Sequence, residues 1–244
     1  MSGIDYDTPY RVRETLVAAQ RLAWRRIAEP GAWLDGERRV AAAGAVRAAR
    51  GCALCRERKQ ALSPFAIEGE HQAGGRLSAA EVELIHRLTT DPGRLSRSWA
   101  EGILAAGVSE EAYVEIVGIV GMVMVVDTFR RALGLPEFDL PAPVAGAPSG
   151  YRAPGARRHD AWISLVQPDD VVESDGALYG AAASPVVKAL SLVPEAKRAY
   201  WDLAEEHYLP GSEMTDYATG VRAIDRMQME LVAGRVSALH QCVY

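Results

Sequence analysis

The chain has 244 residues, of which 49% are apolar and 24% charged, enough to bury a sizeable core and ordinary for a globular protein. A net charge of −5 argues against nucleic acid as the main partner, and the opening "MSGIDYDTPYRVRETL" lacks the apolar stretch of a secretory signal. The longest apolar run, "IVGIVGMVMVV" at 116–126, is short for a bilayer span, so a cytoplasmic protein without a membrane partner is expected.

In chain order, "GERRVAAAGAVRAARGCALCRERKQAL" (36–62) carries a long helical pattern with a break near Gly51. Ser78 and Glu81 form a capping box for a helix through about Leu88. "TDPGRLS" is a turn, and Ser96 or Ser98 starts a short helix that ends near Gly107. Ser109 caps a helix over about 110–133, with Glu110 and Glu111 in its first turn and a stop at Gly134. This helix is apolar nearly all round, which predicts a central, buried position.

Five prolines and four glycines in 134–160 exclude long helices there. Phe138, Leu140 and Tyr151 give that stretch something to pack with, which predicts an ordered linker between a first unit (1–133) and a second (161–244). Beyond it, "ASPVVKALSLVP" and "EAKRAYWDLAEEHYL" read as short helices, and a long one starts at Thr215 or Asp216. "AWISLVQ" (161–167) is the best strand candidate, and one run makes no sheet. The expected fold class is all-α.

Cysteines are few: Cys52, Cys55 and Cys242. Three in such a chain suggest no disulfide framework. Cys52 and Cys55 form a C-x-x-C, a spacing that suits a redox pair, half a zinc site, or neither. Two residues three apart on a helix share a face, which predicts that their thiols lie within disulfide reach. Joining them with His71 and His86 would give C-x₂-C-x₁₅-H-x₁₄-H, which is no recognised short zinc spacing, so no metal and no cofactor are expected. Glu115 and Asp127 fall on the most apolar helix; the reading preferred for Glu115 is an exposed first turn rather than an active site. The arginines of 37–58 form a basic stripe without interleaved aromatics, read as a solvated face.

The chain also repeats itself. "VAAAGAVRAARGCAL" (40–54) aligns without gaps on "ELVAGRVSALHQCVY" (230–244), sharing A-G-x-V-x-A-x-x-x-C and placing Cys52 on Cys242. With residues 77–136 behaving as a helical arm after the first copy, the chain resembles the AhpD-like, or carboxymuconolactone decarboxylase, superfamily, and in particular its two-repeat alkylhydroperoxidase-related proteins, some of which carry selenocysteine. That resemblance implies an all-helical repeat and a thiol- or selenol-dependent oxidoreductase acting on a hydroperoxide with a thiol reductant as partner, in a homo-oligomer. It implies a Glu twelve residues ahead of the motif, a position held by Glu230, and a first motif Cys, held by Cys242. The motif's second position would be residue 245, so the resemblance also carries the expectation of a chain cut at a selenocysteine codon, weak as a peroxidase, with an apolar patch left at Leu231, Val232, Val236, Leu239 and Val243. The first copy keeps Cys52 and Cys55, but Val40 stands at the Glu position and Arg58 and Lys59 where a His would follow. For that pair, two small buried helix residues or an inert disulfide are the plainer reading, and redox activity the sharper one. His240, some 200° round the helix from Cys242, is given no role.

Two other functions fit the same chain: a helical oligomerisation scaffold without chemistry, and a lyase of the decarboxylating branch, which does not depend on C-x-x-C.

Overall fold

The computed structural model describes residues 6–72, 75–180, 183–209, 213–214, 216–218, 220 and 222–239. Among these the chain is all-α, with no strand; the 161–167 segment supplies only an isolated bridge between Arg157 and Leu165. Helix α1 spans Glu14–Ala28, α2 Gly36–Gly51, α3 Ala53–Gln60, α4 Ala79–Thr90, α5 Arg97–Ala105 and α6 Glu110–Ala132. After the Pro-rich stretch come α7 (Pro185–Lys188), α8 (Pro194–His207) and α9 (Arg226–Leu239).

The caps expected from sequence form: Ser78 and Glu81 close a capping box at α4, and Ser96 and Ser109 cap α5 and α6. At α2, Asp35 also accepts from the Arg38 N–H. Helix α6 ends at a left-handed Gly134 (φ 71°), a conformation that glycine adopts without a Cβ penalty. Its helix runs well past the apolar run at both ends, to 23 residues, and is long and apolar enough to cross a membrane by length and composition. Here it is instead the centre of a bundle, with α1, α2, α4 and α8 packed against it.

Ile116, Ile119, Met122, Val123 and Val126 of α6 meet Ala42, Ala43 and Val46 of α2, Leu84 and Ile85 of α4, and Trp24 and Ile27 of α1. The alanines let α2 approach closely, because dispersion rewards contact and leaves no room for longer side chains in a dense interior. Ala199 and Leu203 of α8 join the same core, so the segment after the linker completes the bundle built by the first. The linker itself is ordered by packing of Phe138 and Leu140 and by backbone bonds from Val144 N–H to Ala28 and from Gly150 N–H to Ala32, at 2.8 and 2.7 Å.

Two expectations are corrected here. Glu115 is not in an exposed turn. It is 1% exposed, paired with Arg39, and accepts from the Trp33 and Leu34 N–H groups at 2.7 and 3.3 Å. Nor is the arginine stripe of α2 merely solvated. Arg39 serves Glu115, while Arg47 and Arg50 hold the fully buried Asp127 with N···O distances of 2.9–3.1 Å. A helix as apolar as α6 can carry two acids inside because α2 presents a guanidinium to each, and buried charge is tolerated only when paired and hydrogen-bonded.

The last helix spans Arg226–Leu239; Asp216 does not start it, and Thr215 lies outside the described residues. The positions that align with buried Ala42, Ala43, Val46 and Ala49 of α2 are Val232, Ala233, Val236 and Leu239, and all four are exposed on α9. Leu231 is 76% exposed and Val232 57%. The two stretches share a sequence pattern and differ in packing. Val243 lies outside the described residues.

Candidate functional site: a cysteine–histidine cluster

Helices α2 and α3 are nearly continuous and break at Cys52, which is extended (φ −67°, ψ 125°) and serves both as C-cap of α2 and N-cap of α3. Cys55 follows one turn later, buried. Both thiols are free. The rest of the site comes from elsewhere in the chain, by two routes.

The loop after α3 brings His71. Arg58 Nε donates to the Ile67 carbonyl at 3.1 Å and pins the loop over α3. Gly69 (φ 146°) passes above Leu54, where a Cβ would lie 3.1 Å from Leu54 Cδ1. This turn delivers His71 Nδ1 to 3.4 Å from Cys52 Sγ and 3.8 Å from Cys55 Sγ. Helix α4 brings His86, whose Nδ1 is 3.3 Å from Cys55 Sγ. The two imidazoles lie against each other, tilted by 44° with centroids 4.1 Å apart, and the ligand atoms of Cys52, Cys55, His71 and His86 all lie within 4.8 Å of one another.

Behind His71 stands Glu83 of α4. Its Oε2 accepts from His71 Nε2 at 2.8 Å and from Arg58 at 2.7 Å, and its Oε1 accepts from the Trp99 indole at 3.3 Å. Burial alone would raise the Glu83 carboxyl, but His71, Arg58 and Trp99 outweigh it and hold it at about 2. For His71, burial opposes the charged form, while Cys55, Glu83 and Cys52 favour it and lift it to about 10. His86 goes the other way: burial, then the neighbouring His71, push it to about 4, so it stays neutral. The Cys52 thiol is raised by burial and lowered by the Cys55 backbone N–H, His71 and the Cys55 thiol, with the lowering dominant. A thiol at a helix start beside an imidazolium is a thiolate-favouring setting.

The cysteines are legible from sequence. His71 and His86 are brought to them although their spacing matches no short motif. Sequence reasoning misses Glu83 and Arg58 as site residues; Arg58 is marked only as standing where a histidine would follow. Glu230 is on α9, 53% exposed in its side chain, and pairs with Arg226 at 2.6 Å. It is not part of this cluster. Cys242 and His240 fall outside the described residues.

No family model, no curated protein and no solved structure matches the chain.

Proposed function

We propose that the protein is a cytoplasmic, thiol-dependent oxidoreductase that reduces hydroperoxides at Cys52 and Cys55. One observation carries the reading: two free thiols one helical turn apart converge on a single imidazole nitrogen, His71 Nδ1, that is itself oriented by a carboxylate. Cys52, half-buried at the helix start, is the attacking group, and buried Cys55 the resolving one. The Cys52 thiolate attacks one peroxide oxygen and the O–O bond breaks. The leaving alkoxide takes a proton from the His71 imidazolium and departs as the alcohol. Neutral His86 takes the Cys55 proton, the Cys55 thiolate attacks the Cys52 sulfenic sulfur, the S–O bond breaks, and the departing hydroxide takes that proton back from His86 and leaves as water. A small thiol reductant returns the pair to the dithiol and is itself oxidised to a disulfide.

The AhpD-like resemblance supports this reaction class. The site proposed here is the first C-x-x-C rather than Glu230 and Cys242, because Glu230 is engaged with Arg226 at the surface.

The test is peroxide consumption by the full chain with dithiothreitol as reductant. Turnover is expected for the wild type and loss of turnover for Cys52→Ser; with dithiothreitol left out, Cys55→Ser should consume a single equivalent and stop at the sulfenic acid. Wild-type turnover that survives Cys52→Ser would overturn the assignment, as would the absence of any wild-type turnover.

A further inference from the structure

The geometry of the four converging side chains asks for more than hydrogen bonds. One nitrogen, His71 Nδ1, faces two thiols, and one of those thiols also faces the Nδ1 of His86. Two sulfurs and two imidazole nitrogens pointing at a common centre is the donor set of a Cys₂His₂ zinc site. Bond lengths of about 2.3 Å for Zn–S and 2.0–2.1 Å for Zn–N set the S···N edges of a tetrahedron at about 3.5–3.6 Å. Three of these edges are 3.4, 3.8 and 3.3 Å, before any ion draws the ligands in.

The surroundings also fit. A metal-binding histidine commonly donates its other ring N–H to a carboxylate, and His71 does so to Glu83 at 2.8 Å. That bond holds the ring with Nδ1 aimed at the thiols, so an arriving metal displaces only the Nδ1 proton. His86 has its distal Nε2 buried without a partner, so the ring proton can sit there and leave the Nδ1 lone pair to a metal. Cys52 alone of the four cysteine and histidine side chains has substantial access to solvent through its half-buried position, with Cys55 and His86 buried and the His71 side chain only 4% exposed.

We propose that Cys52, Cys55, His71 and His86 bind one Zn²⁺ ion in tetrahedral geometry, and that this ion holds the dithiol reduced until a hydroperoxide oxidises the pair and expels it. The binding rests on geometry alone, and the release rests on the peroxide-reducing reading above. In the release step the two zinc thiolates give up two electrons and join as the Cys52–Cys55 disulfide. The peroxide O–O bond breaks and, with two protons from solvent, becomes one alcohol and one water, and Zn²⁺ leaves. A thiol reductant restores the dithiol, which can take up zinc again.

The full chain, stripped with a chelator and dialysed, is titrated with zinc sulfate against a chromophoric chelator, and separately with Co²⁺ alone. One equivalent of zinc is expected to bind. Cobalt is expected to give the intense visible bands of a tetrahedral ion together with thiolate-to-cobalt charge transfer. Cys55→Ser and His86→Gln should lose the tight equivalent, while Glu83→Gln should keep it with affinity about 10- to 100-fold weaker. Less than one equivalent in the wild type, or a weakly coloured octahedral cobalt spectrum, overturns the site. The wild-type spectrum reports the ligand set directly, so the site stands or falls on it even where a buried variant does not fold.

Hydrogen peroxide is then added to the zinc-loaded wild type. Release of one equivalent in step with a Cys52–Cys55 linked peptide is expected. Bound zinc with neither release nor linkage overturns the release step and the peroxide-reducing reading with it, and leaves the site standing. Linkage in a protein that never bound zinc overturns the site and leaves the peroxide-reducing reading standing.

Discussion

Replacing Glu115 with alanine should be the most damaging single change away from the cysteines. Its carboxylate, 1% exposed, neutralises Arg39 and accepts two backbone N–H groups, from Trp33 and Leu34. Removing it leaves a guanidinium that is itself 5% exposed and that, among the described residues, still donates to the Arg26 carbonyl at 3.0–3.2 Å. Breaking a buried ion pair by deleting one member costs about 3–5 kcal/mol, and each stranded buried N–H adds about 1–3 kcal/mol unless water reaches it. A loss of at least about 3 kcal/mol is therefore expected, against a total stability of about 5–15 kcal/mol. For a chain of this size each kcal/mol moves Tm by about 2–4 °C, so thermal unfolding by circular dichroism should fall by about 6–12 °C or more. Glu115→Met combined with Arg39→Met removes both charges and should be less damaging than the sum of the single variants. If Glu115→Ala costs under about 1 kcal/mol, or the two changes simply add, the pair is solvated and the reasoning fails.

Gly69→Ala should weaken zinc binding and peroxide turnover together, because the left-handed turn (φ 146°) and the close pass over Leu54 carry His71 to the thiols; unchanged cobalt spectra would count against that role. Burial pushes the Lys197 ammonium down from an ordinary 10.5 to about 8, with Glu205 opposing, so folding expels a proton between those values and the stability contribution of Lys197 should rise as pH rises through that window. Denaturant unfolding would show this as wild-type stability rising relative to Lys197→Met between about pH 8 and 10.5, and a flat difference would refute it. Helix α9, with Met227 80% and Leu231 76% exposed, should exchange its amide hydrogens faster than α6, as measured by hydrogen–deuterium exchange mass spectrometry; equal protection would mean that its apolar face is covered in solution.

Much of the bundle is legible in the sequence because its punctuation is local. Ser78, Ser96 and Ser109 each accept from a backbone N–H three residues on, and Gly134 takes a conformation that glycine alone takes cheaply, so these boundaries need no tertiary information. Helix α1 escapes a sequence reading because Arg13 makes no side-chain cap and its ends are charged, leaving only an amphipathic stripe to mark it. The break at Gly51 is readable, but its use is not: it frees Cys52 to turn out of α2 and cap α3. An arginine stripe on α2 looks the same in sequence whether it faces water or two acids buried on α6, so the roles of Arg39, Arg47 and Arg50 emerge only from packing. The same holds for the site. Cys52 and Cys55 announce themselves by spacing, whereas His71 and His86 arrive by a loop turn and a helix face set by packing of α4 against α2 and α3.

The most direct measurement is peptide mapping of the unreduced protein after one equivalent of hydrogen peroxide, with thiols blocked at acid pH. The expected product is one unblocked peptide that carries both Cys52 and Cys55 and is two hydrogens lighter than its dithiol form, formed in the wild type and absent in His71→Asn. Cys52 and Cys55 both recovered as free, blocked thiols, or Cys52 over-oxidised with Cys55 untouched, would contradict it.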